Sequence, residues 1–190
     1  MNKLINKNDY FYVAGHNGMV GSAICRKLKE NNYKNILTTN RSDIDLRNYE
    51  SVKNWFDKNK PDVVILAAAR VGGILANNSF PTEFLLDNMK IQNNLIEMAW
   101  KYNVKRLLFL GSSCIYPKFC NQPMIEESLM TGELEKTNEW YALAKITGIK
   151  LCDALRKQYK FDAICLMPTN LYGSGDNYHK QDSHVIPGLI

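Results

Sequence analysis

A doubly wound α/β fold built on a parallel sheet is what this sequence predicts, on three observations. Short strand-like runs alternate with helical periodicities along the chain, with no repeat, linker or low-complexity tract between them. Two runs, Val63-Val64-Ile65-Leu66-Ala67 and Leu107-Leu108-Phe109-Leu110, are continuously apolar, as strands covered on both faces are. The segments that follow the strands, at 15–21, 40–47, 67–74, 111–117 and 168–175, are rich in Gly, Ser, Asn and Arg, as befits the ligand-facing end of such a sheet.

In chain order, Tyr10 to Ala14 is β-rich and ends on a glycine, and Gly18 to Asn31 carries helical spacing through Val20, Ile24 and Leu28. Ile36 to Thr39 is a second strand, and Tyr49 to Lys58 a helix with Val52, Trp55 and Phe56 inward. After the strand at Val63, Pro81 opens a long helix reaching about Tyr102, since proline suits a first helical position. Trp140 to Tyr159 is a further helix, followed by the strand Ala163 to Met167. Right-handed crossovers then place helices on both faces.

The composition supports one sizeable core: 190 residues, 45% hydrophobic and 23% charged. The 24 Lys and Arg against 19 Asp and Glu give +5, but the basic residues are scattered, so nucleic acid is not an expected partner. The longest apolar run, Val63 to Ala69, stops at Arg70, too short for a membrane partner to be expected. Lys3, Lys7 and Asp9 interrupt the first ten residues, so no secretory leader is expected. The five cysteines are odd in number and contain no CxxC, which argues against a disulfide scaffold and a zinc or other metal site. A cytoplasmic domain is the expectation.

Gly15-His16-Asn17-Gly18-Met19-Val20-Gly21 lies between the first strand and first helix. Glycines there permit a tight turn, close approach to a pyrophosphate and close helix–strand packing. A plain turn is the alternative for the trio alone; its placement after strand one favours a dinucleotide site. About twenty residues on, strand two ends in Asn40-Arg41, and an arginine there suits a ribose 2′-phosphate, or is a solvated surface residue. Tyr141 and Lys145 stand four apart on one helix face, where an ammonium would draw a phenol pKa downward for proton exchange; taken alone the pair also reads as core packing plus a surface lysine. Gly111-Ser112-Ser113 follows strand four. Cys114 stands in that loop, although a free cysteine is ordinarily a small core residue.

With these motifs in place, the stretches at 15–24, 67–74, 108–118, 141–152, 167–173 and 183–189 resemble the Rossmann-type extended short-chain dehydrogenase/reductases, and among them the GDP-L-fucose synthase family. The resemblance implies an NADP(H)-binding domain over 1–175, with 176–190 opening a smaller C-terminal substrate region largely absent from these residues. It implies NADPH-dependent 3,5-epimerisation and 4-reduction of GDP-4-dehydro-6-deoxy-D-mannose to GDP-L-fucose. Cys114 would be the epimerisation base and His184 the acid; Tyr141 would protonate the C4 oxygen, Lys145 hold the nicotinamide ribose, and Ser112 hydrogen-bond the ketone. Cofactor contacts are implied for Gly15, His16, Asn17, Gly18, Met19, Val20, Gly21, Arg41, Asp45, Leu46 and Ala68. They are implied also for Leu110, Gly111, Ser112, Ser113, Lys145, Pro168, Thr169, Asn170, Leu171 and His184. Asn17 departs from the arginine some members carry there. The rival readings are another extended-family nucleotide-sugar epimerase, and a non-catalytic dinucleotide-binding module. On the long helix, Phe84, Ile91, Leu95, Met98 and Ala99 form one apolar face and Leu85, Leu86, Met89, Ile96 and Trp100 another. So wide an apolar arc asks for cover beyond one core, from a C-terminal segment or from a second copy; the resemblance implies the second, a homodimer through helices 81–102 and 140–159.

Overall fold

The computed structural model describes residues 4–178, 183 and 185–189. Five parallel strands, β1 (Phe11–Ala14), β2 (Ile36–Leu37), β3 (Val63–Leu66), β4 (Arg106–Leu110) and β5 (Ala163–Leu166), form one sheet in the order β2-β1-β3-β4-β5. From β1 the chain steps to β2 on one side, then returns across β1 to build outward through β3. The crossovers therefore reverse between β1 and β3, and a crevice opens there at the carboxyl ends of the strands. The helices are α1 (Met19–Glu30), α2 (Tyr49–Asn59), α3 (Ile74–Ser79), α4 (Pro81–Lys101), α5 (Glu139–Tyr159) and α6 (Val185–Gly188).

Side-chain alternation divides the core in two. Tyr12, Ala14, Val64, Leu66, Leu107 and Phe109 point to the face covered by α2, α4 and α5, where Val52, Phe56, Leu95, Ile96, Ile149 and Cys152 complete the larger cluster. Phe11, Val13, Val63 and Ile65 point the other way and meet Ile24, Cys25 and Leu28 of α1. Because both faces of β1 and β3 are covered, every residue of those strands is buried. The same expectation fails for β4, which alternates buried and half-buried positions. On the α1 side Leu108 is only partly buried against the smaller cluster, and Leu166 of β5 is exposed.

Local chemistry sets the element ends. The Asn48 side chain accepts from Ser51 N–H at 2.9 Å and caps α2, Pro81 opens α4, and left-handed Lys60 and Lys160 stop α2 and α5. The periodicity reading misses α3 and the 3-10 turn Ser113–Ile115, both shorter than two turns of a regular helix. At the opposite end of the strands, buried Asp9 pairs with Lys105, whose backbone N–H donates to the Asp62 carbonyl at 2.6 Å, while Arg106 pairs with Asp162 at 2.7 Å. These ties join the amino ends of the strands and leave the carboxyl ends to loops. No helix among the described residues is long and apolar enough to cross a membrane.

α4 and α5 lie side by side, joined by the buried Gln92 amide donating to the Ala144 carbonyl at 2.5 Å. Their approach to the sheet depends on Gly148, where a β-carbon would stand 2.6 Å from the Phe109 ring. Gly148→Ala should therefore destabilise the fold by about 1–3 kcal/mol through overpacking, despite alanine's better helix propensity. The shift in urea midpoint checks this; an unchanged or raised midpoint would show that the ring can yield.

Candidate active site

The crevice is a cavity of about 800 Å³, within the range of small-molecule and cofactor sites. Its centre is the loop from β1 to α1. Gly15 has φ +87° and lies so close to Ala67 and Ala68 that a β-carbon would stand 2.7 Å from their backbone. A β-carbon on Gly21 would stand 2.1 Å from the Gly15 carbonyl oxygen. The outer two glycines thus let three stretches of backbone touch. α1 begins at Gly18 with no side-chain cap, so its first N–H groups remain free to meet an anion.

On the β2 side, the Asn17 amide donates to Asn40 Oδ1 at 3.0 Å, tying the glycine loop to the loop that carries Arg41. Asn40 in turn donates from its backbone and side chain to Asp43. Arg41 lines the cavity and makes no hydrogen bond among the described residues, so its donors are open.

On the β4 side stand Ser112, Tyr141 and Lys145. Lys145 is 3% exposed; its ammonium donates to the Leu110 carbonyl at 2.7 Å and lies 4.9 Å from the Phe109 ring centre and 5.6 Å from that of Tyr141. Burial lowers the Lys145 pKa to about 8 and raises that of Tyr141. The downward pull on the phenol expected from sequence is thus outweighed. Desolvation dominates, and the ammonium spends its hydrogen bond on a carbonyl rather than on the phenol.

Ser112 Oγ accepts from the Cys114 N–H at 3.4 Å and so caps the short turn that follows. Burial raises the Cys114 thiol pKa, while the Ser112 hydrogen bond and the Lys145 charge oppose that rise.

Most of the residues expected from sequence meet here. All seven of Gly15 to Gly21 line the cavity, with Arg41, Asp45, Leu46, Ala68, Leu110, Gly111, Ser112, Tyr141, Lys145 and Pro168 to Leu171. Ser113 and Cys114 do not. They follow Ser112 in the turn Ser113–Ile115, next to the wall, where Ser113 N–H is tied to the Pro168 carbonyl at 3.0 Å. His184 lies outside the described residues. Sequence reasoning left out Phe84, Asp87 and Ile91 of α4, which also line the cavity. Their only signal was their apolar or charged place on a helix already assigned to packing. Arg47, Arg70 and Asn77 were missed as well.

The cavity suits a large polar ligand on its own evidence. Buried polar atoms of three lining residues, His16 Nδ1, Asn77 Oδ1 and Asp176 Oδ2, have no hydrogen-bond partner among the described residues. Together with the glycine cradle and the free α1 terminus, they fit a dinucleotide.

Comparison with known proteins agrees in kind. The sequence pattern of the NAD dependent epimerase/dehydratase family matches residues 11–190. GDP-L-fucose synthase 1 of Arabidopsis thaliana is 52% identical over 190 residues, covering 100% of this chain and 59% of its own length. GDP-L-fucose synthase of Escherichia coli (strain K12) is 50% identical over 179 residues, covering 94% of this chain and 56% of its own. The chain thus spans less than two thirds of these relatives. A solved GDP-L-fucose synthetase from Naegleria fowleri, bound to NADP, superposes with a TM-score of 0.86 at 30% identity, over 99% of this chain and 62% of that one.

The buried lysine has a measurable consequence. Its folded pKa of about 8 lies below its ordinary 10.5, so between these values the unfolded chain binds more protons than the folded one. Stability should therefore rise with pH across that window, by about 3 kcal/mol from this group. Lys145→Met should remove that rise; denaturant titrations at pH 7 and pH 10 check it, and an equal pH dependence in both proteins would show that Lys145 is solvated.

Proposed function

The chain belongs to the NAD dependent epimerase/dehydratase family, and on that footing we propose that it acts as a GDP-L-fucose synthase, with NADPH as reductant and GDP-4-dehydro-6-deoxy-D-mannose as substrate. One observation carries the reading: a single crevice joins a glycine cradle for phosphates to Ser112, Tyr141 and buried Lys145. The names of the relatives point to the same chemistry.

In this reading Gly15 to Gly21 and the free α1 terminus hold the pyrophosphate, and the open donors of Arg41 take the 2′-phosphate. NADPH, when bound, supplies the hydride that reduces the substrate at C4. The C4 ketone acidifies the neighbouring C3 and C5 hydrogens, so one base and one acid can invert both centres before reduction. Cys114 is proposed as that base. Its raised thiol pKa means that the thiolate depends on the Lys145 charge and the Ser112 hydroxyl beside it. The corresponding acid, His184, lies outside the described residues. Ser112 orients the ketone oxygen, and Tyr141, kept protonated by burial, donates to that oxygen as hydride arrives. Lys145 positions the nicotinamide ribose from beneath.

The proposal includes a homodimer through helices 81–102 and 140–159, supported by Leu86, Trp140 and Leu143, which remain exposed on α4 and α5. Sedimentation velocity at micromolar concentration should return the dimer mass; a monomer would remove this part.

Fluorescence titration should show tighter binding of NADPH than of NADH. Tyr141→Phe should keep that binding while lowering the reduction rate by about 100-fold or more. Cys114→Ser should also bind NADPH normally while halting exchange of the C3 and C5 hydrogens with solvent deuterium. Preference for NADH would move the reading towards an epimerase that recycles NAD⁺, and equal loss of NADPH affinity in Cys114→Ser would refute the role given to that thiol.

A further inference from the structure

Two arginines at the adenosine end of the crevice are held in opposite ways, and the contrast separates their roles. The donor edge of Arg41 is open among the described residues, as a phosphate reader requires. The edge of Arg47 is occupied. Its Nε and Nη2 each donate to Asp45 at 3.0 Å, and its Nη1 lies 3.5 Å from Asp87 Oδ1. Asp87 is itself fixed from behind, since its other oxygen receives Arg70 Nη1 at 3.3 Å. The Asn88 amide holds the Arg70 backbone in turn, accepting from its N–H at 2.8 Å and donating to its carbonyl at 3.0 Å.

A guanidinium whose Nε–Nη2 edge is taken by one carboxylate and whose Nη1 faces another is poorly placed for bidentate binding of a phosphate; its flat face is what it chiefly offers a ligand. Arg47 lines the cavity, as do the apolar Ile44 and Leu46 of the same loop after β2 and Ile91 of α4. That is where the base of a dinucleotide belongs once its pyrophosphate sits on the glycine loop. We propose that Arg47, immobilised between Asp45 and Asp87, stacks its guanidinium face on the adenine ring and is a binding residue for the base rather than for the phosphate. The inference rests on the dinucleotide reading above and adds to it a residue outside the motifs.

Because the base is common to both cofactors, Arg47→Met should weaken NADPH and NADH by the same factor, about fivefold to tenfold. Arg47→Lys keeps the positive charge between the two carboxylates but lacks the plane, so it should weaken both cofactors as Arg47→Met does. Arg41→Met should weaken NADPH alone. Fluorescence titration of the four proteins with each cofactor reads this directly, with circular dichroism confirming the fold. Unchanged affinity in Arg47→Met would overturn the proposal, and so would full affinity in Arg47→Lys, which would mean that charge alone matters. Loss confined to NADPH would make Arg47 a phosphate reader and also overturn it. If the unsubstituted protein bound neither cofactor, the dinucleotide reading itself would fail, and the assignment of Arg47 with it.

Discussion

Three stretches of backbone meet without side chains between them where β1 passes into α1. Gly21 rests on the Gly15 carbonyl, and Gly15 rests on Ala67 and Ala68 beyond β3. That contact brings the amino terminus of α1 directly over the point where the crossovers reverse, and the cavity is arranged around it. A β-carbon at either outer glycine would force α1 or the β3 loop to shift. The free N–H groups of α1 would then no longer face the crevice that the β2 and β4 loops enclose.

The chemistry at the other end depends on how deeply α5 sinks against the sheet. Gly148 permits the helix to ride on Phe109, and the Gln92 amide fixes its height against α4. That depth buries Lys145 beneath the cavity, where desolvation becomes the largest influence on its charge and on that of Tyr141. The Leu110 carbonyl, at the end of β4, compensates part of that cost by accepting from the ammonium. A pair of residues one helical turn apart thus acquires unusual proton affinities from the packing of the whole helix, not from proximity to each other.

Charges around the rim are organised rather than scattered. Asp45, Arg47, Asp87 and Arg70 alternate in sign from the β2 loop to the loop after β3, bridging elements that share no strand pairing. Exposed pairs of this kind add little to stability. Their effect is to hold planar groups in set orientations at the mouth of the crevice. Arg41 stands outside this chain of pairs, and its donors stay open.

The alternation of apolar runs with helical periodicity was enough to determine a parallel doubly wound sheet, because two-sided burial and crossover handedness are rules of short range. The glycine trio, Ser112 and the Tyr141–Lys145 pair were legible for the same reason: each motif lies within one turn or loop whose geometry its own residues dictate. The contribution of α4 to the cavity was not legible. Phe84, Asp87 and Ile91 line it only because α4 packs beside α5 and over β3, and a helix's own sequence cannot say which part of a buried face borders a void. Nor could sequence show that Cys114 is held in the turn Ser113–Ile115 behind Ser112, or that burial holds the Tyr141 pKa up. Local motifs were determined by the sequence itself; solvation, orientation and the pairing of Arg47 were decided by the tertiary structure, because they depend on residues far apart in the chain meeting at controlled distances.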